Sequence, residues 1–252
     1  MVSIVIPTYK RPHFLDRLLK SIASQTFKKF EIIVVDDCSP NYNDYVLVIE
    51  KYKKNLKEFK FLRNSENRGA PYSRNRGIKE AKYDLIALVD DDDEWLPKKL
   101  EMQFEIFKNN NENLGLVYTW TDAIDENGKV VYKYRSEIEG NPKKEILKEC
   151  FIPSPSVMVR KKAIIEAGLF DEKMPSCQDW DMWTRIIMKG YEVKVVKEVV
   201  TIYHKHREGN IGLSERAKEG YKMYYKKHIF STILDFKILF LFIKRYIGLI
   251  IR

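Results

Sequence analysis

Several features that would assign this chain to a common class are scarce or absent. Cysteine is rare: Cys38, Cys150 and Cys177 are odd in number, far apart, and form no CxxC pair. A disulfide framework and a cysteine zinc site are not indicated, and a reducing, cytoplasmic compartment is expected. No basic leader precedes the opening run Met1-Val-Ser-Ile-Val-Ile, so a secretory signal is not expected. Glycine is missing from Pro7-Thr-Tyr-Lys-Arg-Pro12, where a Gly-rich phosphate loop would follow a first strand. No uncharged apolar run reaches the ~20 residues of a membrane-spanning helix. The longest near the C-terminus are 238–243 and 246–251. Acidic residues are scarce there too: residues 211–252 hold three Asp or Glu against nine Lys or Arg, and most of the net charge of +9 lies in that tail. A basic, apolar tail is not a nucleic-acid footprint, so no nucleic-acid partner is expected.

What is present suffices for one large α/β domain or two small lobes: 252 residues, 44% hydrophobic, with no internal repeat. Residues 2–6 form a β-branched run ended by Pro7-Thr8-Tyr9. Phe14, Leu15, Leu18, Leu19 and Ile22 then follow helical spacing. Residues 31–35 make a second apolar run, ending in Asp36-Asp37. Strand, helix and strand in this succession form a βαβ unit and begin a parallel sheet.

The densest chemistry lies at 85–97. Five apolar residues, Leu85 to Val89, run into Asp90, Asp91, Asp92 and Asp93, then Glu94-Trp95-Leu96-Pro97. An unbroken apolar run reads as a strand buried on both faces. The aspartates then sit at its C-terminal end, where open α/β sheets bind ligands. Adjacent carboxylates disfavour one another's ionisation. A divalent cation, Mn²⁺ or Mg²⁺, relieves this and leaves coordination positions for substrate phosphates; a solvated acidic loop is the plainer reading. Asp37 stands at the same sheet edge. Arg68, Arg74 and Arg76, around the turn Asn67-Arg68-Gly69, lie close to it. Each suits either phosphate oxygens or an ordinary surface ion pair.

Polar residues 109–113 mark a boundary between halves. Beyond it, 115–121 and 130–134 flank Asp125-Glu-Asn127-Gly128, a hairpin signal. Pro153-Ser154-Pro155-Ser156 precedes a short strand at 157–159, and 161–167 reads as a helix stopped by Gly168. Trp180, Trp183, Ile186 and Ile187 share one helical face, and Asp179 stands at that helix's start, as a cap or as a poised carboxylate. Two short strands are expected at 191–196 and 199–203. His204 and His206 follow, two apart, for a metal, a phosphate or neither. The tail at 229–251 is apolar but broken by Asp235, Lys237, Lys244 and Arg245. It reads as an amphipathic helix, lying in a membrane interface or packing on the body or a second subunit.

Taken in order, these blocks resemble the family 2 glycosyltransferases, the inverting, nucleotide-sugar-dependent group with the GT-A fold. The resemblance spans about residues 1–210, through Val2-Ser-Ile-Val-Ile-Pro-Thr-Tyr9, residues 21–27, 31–39 and 67–78, Asp90-Asp-Asp-Asp-Glu-Trp-Leu-Pro97, residues 168–172, and Gln178-Asp-Trp-Asp-Met-Trp-Thr-Arg185. It implies a Rossmann-like mixed sheet flanked by helices, with a donor half at 1–110 and an acceptor half at 111–210; the C-terminal amphipathic tail at 211–252 lies beyond it. It implies that Pro7, Thr8 and Tyr9 line a base pocket, that Asp37 accepts from a uracil-like N–H, and that Arg68 or Arg74 meets the base or diphosphate. Asp90 and Asp92 match the DxD pair, with Asp92 as metal ligand and Asp90 as a ribose or metal-water partner. Asp91 becomes a neighbouring donor contact and His206 a further metal or diphosphate ligand. Asp179 takes the place of the general base; Asp181 is the fallback, because Gln178 stands where many members carry Glu. Ser154, Ser156, Trp180 and Asp181 fall on the acceptor side. Cys38 stands where members often have Gly. The implied reaction moves a sugar, with inversion and a divalent metal, from a UDP-type donor to a glycan or lipid-linked acceptor, peripherally at the inner face of a membrane. A nucleotidyltransferase and a non-catalytic sugar- or nucleotide-binding module are the alternatives.

Overall fold

A computed structural model describes residues 1–54, 56, 58–205, 214–233 and 235–251. Strand β1 (Val2–Thr8) is buried along its whole length. Helix α1 (Pro12–Ala23) starts on Pro12, whose missing N–H is no loss in a first turn. Its Leu15, Leu18, Leu19 and Ile22 face the core at the predicted spacing. The chain continues through β2 (Phe30–Asp36), α2 (Tyr42–Lys53), β3 (Phe59–Arg63), α3 (Ala70–Glu80) and β4 (Leu85–Leu88). β2 and β4 pair in parallel with opposite edges of β1, and β3 extends the β2 side. This reversal of strand order opens a crevice beyond the C-terminal ends of β1 and β4. α3 packs directly on β1: a Cβ on Gly77 would lie 2.4 Å from Val5 Cγ1.

The second half extends the same sheet with mixed directions. Its elements are β5 (Glu94–Trp95), α4 (Lys99–Lys108), β6 (Leu114–Ile124), β7 (Val130–Tyr134), α5 (Lys143–Lys148), a 3₁₀ turn at Ser154–Ser156, β8 (Met158–Arg160), α6 (Lys161–Glu166), α7 (Gln178–Met188) and β9 (Glu192–His204). The strand order is β3-β2-β1-β4-β8-β6-β9-β5, with β7 on the free part of β6. Side chains alternate between two cores, Ile4 and Ile6 in one and Val5 in the other. The polar stretch at 109–113 is thus a short connection between α4 and β6 within one continuous sheet.

One expectation changes. The two strands expected at 191–196 and 199–203 are one strand, β9. Its register against β6 jumps from Thr119↔Val196 to Trp120↔Val199, so exposed Lys197 and Glu198 form a bulge that reads as a break in the sequence. Beyond the aspartates, Trp95 pairs antiparallel with Thr201 as β5. The tail forms α8 (Glu215–His228) and α9 (Phe236–Ile251), and its inner face joins the main core. Tyr224 stacks on Trp180 of α7 at 3.9 Å, and Ile238 and Phe242 are buried. No helix among the described residues is long and apolar enough to cross a membrane.

Candidate active site

The crevice is lined by Pro7, Thr8, Tyr9, Arg11, Asp37, Ala70, Ser73, Arg74 and Asp90. Strand β1 delivers Pro7 and Thr8, with Tyr9 directly after it, and α3 brings Ser73 and Arg74 across from the opposite wall. Asp37 is buried at the end of β2. Its Oδ1 accepts from the Asn64 side chain (2.7 Å) and the Arg68 backbone N–H (2.9 Å), and its Oδ2 from the Gly69 N–H (2.7 Å). Asp37 therefore shapes the turn into α3, where Gly69 takes φ +86, and keeps one acceptor site on Oδ2. Cys38 sits at φ 62, a left-handed conformation that glycine adopts without strain.

Arginines meet most of the aspartate loop. Arg11 reaches Asp91 (2.5 Å) and Asp92 (2.6 Å), Arg74 reaches Asp90 (2.6 Å), and Arg17 donates to the Asp92 carbonyl. Asp91 is buried and also takes the Thr8 hydroxyl at 2.6 Å. Burial pushes its carboxyl up to about 7, against the pull of Arg11. Asp93 is buried too, and burial raises it well above the usual carboxylate range. Asp90 and Asp92 keep partial exposure, at 29% and 16% of their side chains. These two fit a divalent cation of the kind held by one or two carboxylates and completed by substrate phosphates. Among the described residues no cluster of three His, Cys, Asp or Glu could form a self-sufficient cage.

Across the crevice, Asp179 lies in the first turn of α7. Its Oδ1 is buried without a hydrogen-bond partner among the described residues, 4.0 Å from Arg74 Nη1. Burial raises its pKa, Arg74 and the Ser154 side chain pull it down, and Asp90 adds to the rise. Arg74 is itself almost fully buried and also donates to Gln178 (3.2 Å). Burial works against its charge, but Asp90 and Asp179 outweigh that. The 3₁₀ turn carrying Ser154 is fixed from beneath. The Trp95 indole donates to the Pro155 carbonyl (2.9 Å), and Gln103 to that of Ser156 (2.8 Å).

The structure thus gathers Pro7, Thr8, Tyr9, Asp37, Arg74 and Asp90 around one crevice, with Asp92 and Asp179 tied to its arginines. Ser154 meets Asp179, but Arg68, Asp91, Ser156, Trp180 and Asp181 are not brought in. Arg68 lies 3.9 Å over the Tyr72 ring and 4.0 Å from Glu172, away from the crevice lining. Asp91 is buried beneath Arg11 and Thr8 and cannot meet a donor directly. Ser156 is fully buried, its hydroxyl on the Pro153 carbonyl. Trp180 is 6% exposed, donates to the Ile146 carbonyl and packs on Tyr224, so it is a core residue and not an acceptor contact. Asp181 is fully buried among His228, Lys227 and Arg185. Burial alone would raise it, yet these partners hold it at about 2, so it cannot stand in as a base. His206 lies outside the described residues. Sequence reading missed Arg11 and Arg17, although two arginines in the β1–α1 region were the available counter-charge for four aspartates.

Comparison with known proteins agrees with this geometry. Residues 3–168 match the sequence profile of the family described as Glycosyl transferase family 2. An uncharacterised glycosyltransferase of Methanocaldococcus jannaschii is 32% identical over 262 residues, covering 100% of this chain and 89% of that one. An Escherichia coli protein named as a colanic acid biosynthesis glycosyl transferase, WcaA, is 29% identical over 90% of this chain and 81% of its own length. Among solved structures, S. aureus TarS 1–349 in complex with UDP-GlcNAc superposes with a TM-score of 0.74 at 21% identity, covering 98% of this chain and 72% of that one. The mannosyltransferase PcManGT of Pyrobaculum calidifontis, in complex with GDP-Man and Mn²⁺, gives 0.69 at 17% identity, over 90% and 64%. Profile, relatives and GT-A architecture agree: the chain is a glycosyltransferase of family 2.

Proposed function

We propose that this glycosyltransferase moves a sugar from a nucleoside diphosphate sugar, of uridine type, to a hydroxyl of a glycan or lipid-linked acceptor, with inversion. One observation carries the reading: buried Arg74 lies between Asp90, 2.6 Å away, and Asp179, 4.0 Å away. A donor-side carboxylate and an acceptor-side carboxylate share one guanidinium.

A sugar hydroxyl is a poor nucleophile at neutral pH. Asp179, whose side chain is partly exposed, takes its proton as it attacks the anomeric carbon. The rise in its pKa brings that carboxylate closer to the working pH, which favours proton acceptance. Ser154 orients it from the acceptor side. On the donor side, Pro7, Thr8 and Tyr9 form the base pocket, with Asp37 offering its remaining acceptor site. Arg11 and Arg74 face the diphosphate. Asp92 and Asp90 would hold Mn²⁺ or Mg²⁺, which when bound offsets charge on the departing diphosphate. Residues 1–110 serve the donor and 111–210 the acceptor. A lipid-linked acceptor also fits a chain that works peripherally at a membrane face.

A thermal-shift panel of nucleoside diphosphate sugars, with and without Mn²⁺, tests the reading. A cognate donor at about 100 times its Kd should stabilise the fold by about 2.7 kcal/mol. If no nucleoside diphosphate raises the melting temperature in either condition, the donor site is misassigned.

A further inference from the structure

The C-terminal helix α9 carries two apolar stripes, and a helix folded onto a single body needs one. Ile238 and Phe242 form the inner stripe, with Phe242 5.0 Å from the Tyr225 ring. The outer stripe is Phe236, Phe240, Ile243 and Ile247, at 82%, 68%, 42% and 46% exposure. Their spacing of i, i+4, i+7 and i+11 places all four along one line of the helix. Phe230 and Ile233, in the turn before it, are 79% and 50% exposed. Half of the large apolar side chains that stand exposed on the described residues fall within 230–247. A concentration of this kind marks an interaction surface.

Charge identifies the occupant. Lys237 and Lys244, both exposed and seven residues apart, flank the outer stripe on one side. Residues 236–251 contain no Asp or Glu. A second copy of α9 therefore offers these lysines no partner, and an antiparallel pairing would set them against their own copies. An anionic lipid surface supplies both requirements: acyl chains for the phenylalanines and phosphates for the lysines. The helix is too short and too charged to span, so it lies in the plane of the interface.

We propose that the outer face of α9 docks the enzyme on an anionic membrane surface, with Phe236, Phe240, Ile243 and Ile247 in the acyl boundary and Lys237 and Lys244 on headgroups. The inner face of the same tail grips α7 through Trp180–Tyr224 and Asp181–His228, and Asp179 lies in the first turn of α7. Docking then holds the acceptor side of the crevice near the bilayer; this last point alone rests on the transferase reading.

Co-sedimentation of the full chain with phosphatidylcholine vesicles, pure or containing phosphatidylglycerol, tests the proposal without any donor or acceptor. Wild type should pellet with the anionic vesicles and lose most of that binding at high salt. F236S/F240S should bind at least tenfold more weakly with an unchanged melting temperature, because both side chains are solvent-exposed. K237E/K244E should also lose about tenfold or more, at roughly 1 kcal/mol per basic residue near such a surface. Absence of wild-type binding to anionic vesicles overturns the proposal. So does a solution dimer that F236S/F240S dissolves while vesicle binding stays absent. Because the assay needs no nucleotide, failure here and failure of the donor reading are separable.

Discussion

Asp179 and Asp181 stand two residues apart on α7, and the same change, carboxylate to amide, should affect them in opposite ways. Asp179→Asn keeps the shape and removes the proton acceptor. A positioned general base is worth about 10²–10⁴ in rate, so kcat should fall by that factor while donor affinity stays within a few-fold. Stability should hold or rise. Burial raises the pKa of Asp179, so the ionised group costs the fold free energy at neutral pH. That cost sets in as pH rises from the unfolded carboxylate value through the raised folded one, and the amide removes it. For the same reason, the acid limb of kcat in the wild type should lie above the ordinary carboxylate range. Asp181→Asn should do the reverse. Asp181 is held at about 2 against an ordinary 3.8. At about 1.4 kcal/mol per pKa unit, ionisation of this fully buried group contributes roughly 2 kcal/mol. That stability is present above about pH 4 and lost as pH falls towards 2. The amide also leaves Arg185, Lys227 and His228 undercompensated, bringing the loss to about 3–5 kcal/mol. Urea unfolding of both variants at pH 7, alongside kcat under conditions where each is folded, separates the roles. The reasoning fails if Asp181→Asn loses turnover without losing stability, or if Asp179→Asn turns over normally.

Arg74→Lys should lower kcat at least tenfold, because a single ammonium cannot bridge Asp90 and Asp179 as the planar guanidinium does; a variant with unimpaired turnover would separate the two carboxylates functionally. Gly77→Ala should destabilise by about 1–3 kcal/mol in urea unfolding, since the added Cβ meets Val5 Cγ1 at 2.4 Å. The sign is diagnostic: in an open helix interior the same change stabilises by about 1 kcal/mol. Cys38→Gly should raise the melting temperature slightly by relieving a left-handed backbone worth about 1–2 kcal/mol, partly offset by a freer unfolded chain; a lower melting temperature would mean that the Cys38 side chain holds the turn.

Local pattern carried the donor half well. Undivided apolar runs such as 85–89 become strands buried on both faces, and the residues at their ends fall at one sheet edge whatever the rest of the chain does. Facing across long separations was less legible. Nothing near Arg11 in sequence says that it meets Asp91 and Asp92, some 80 positions on. The acceptor-side errors have a simpler cause. Residues two apart on a helix point about 200° apart, so Asp179 and Asp181 cannot both face the crevice. Trp180 follows the apolar stripe of α7 into the core, and the spacing that identified the helix already contained that answer. The tail mixed two signals. Its apolar residues serve two opposite faces of α9, and composition alone does not divide them.

The bond from the Trp95 indole to the Pro155 carbonyl has a consequence for how this enzyme can diversify. Trp95 leaves the aspartate loop after one intervening residue, and Pro155 sits beside Ser154, next to Asp179, the proposed base. This bond fastens the aspartate loop, the proposed donor side, to the Ser154–Ser156 turn, the proposed acceptor side, beneath the crevice. Segments exchanged between relatives to alter acceptor choice must therefore break either before Pro153 or beyond Ser156, and must present a carbonyl at the position of Pro155. A graft that ignores this fastening brings in a new acceptor surface while loosening the loop that grips the donor, and selectivity gained on one side is lost as turnover on the other.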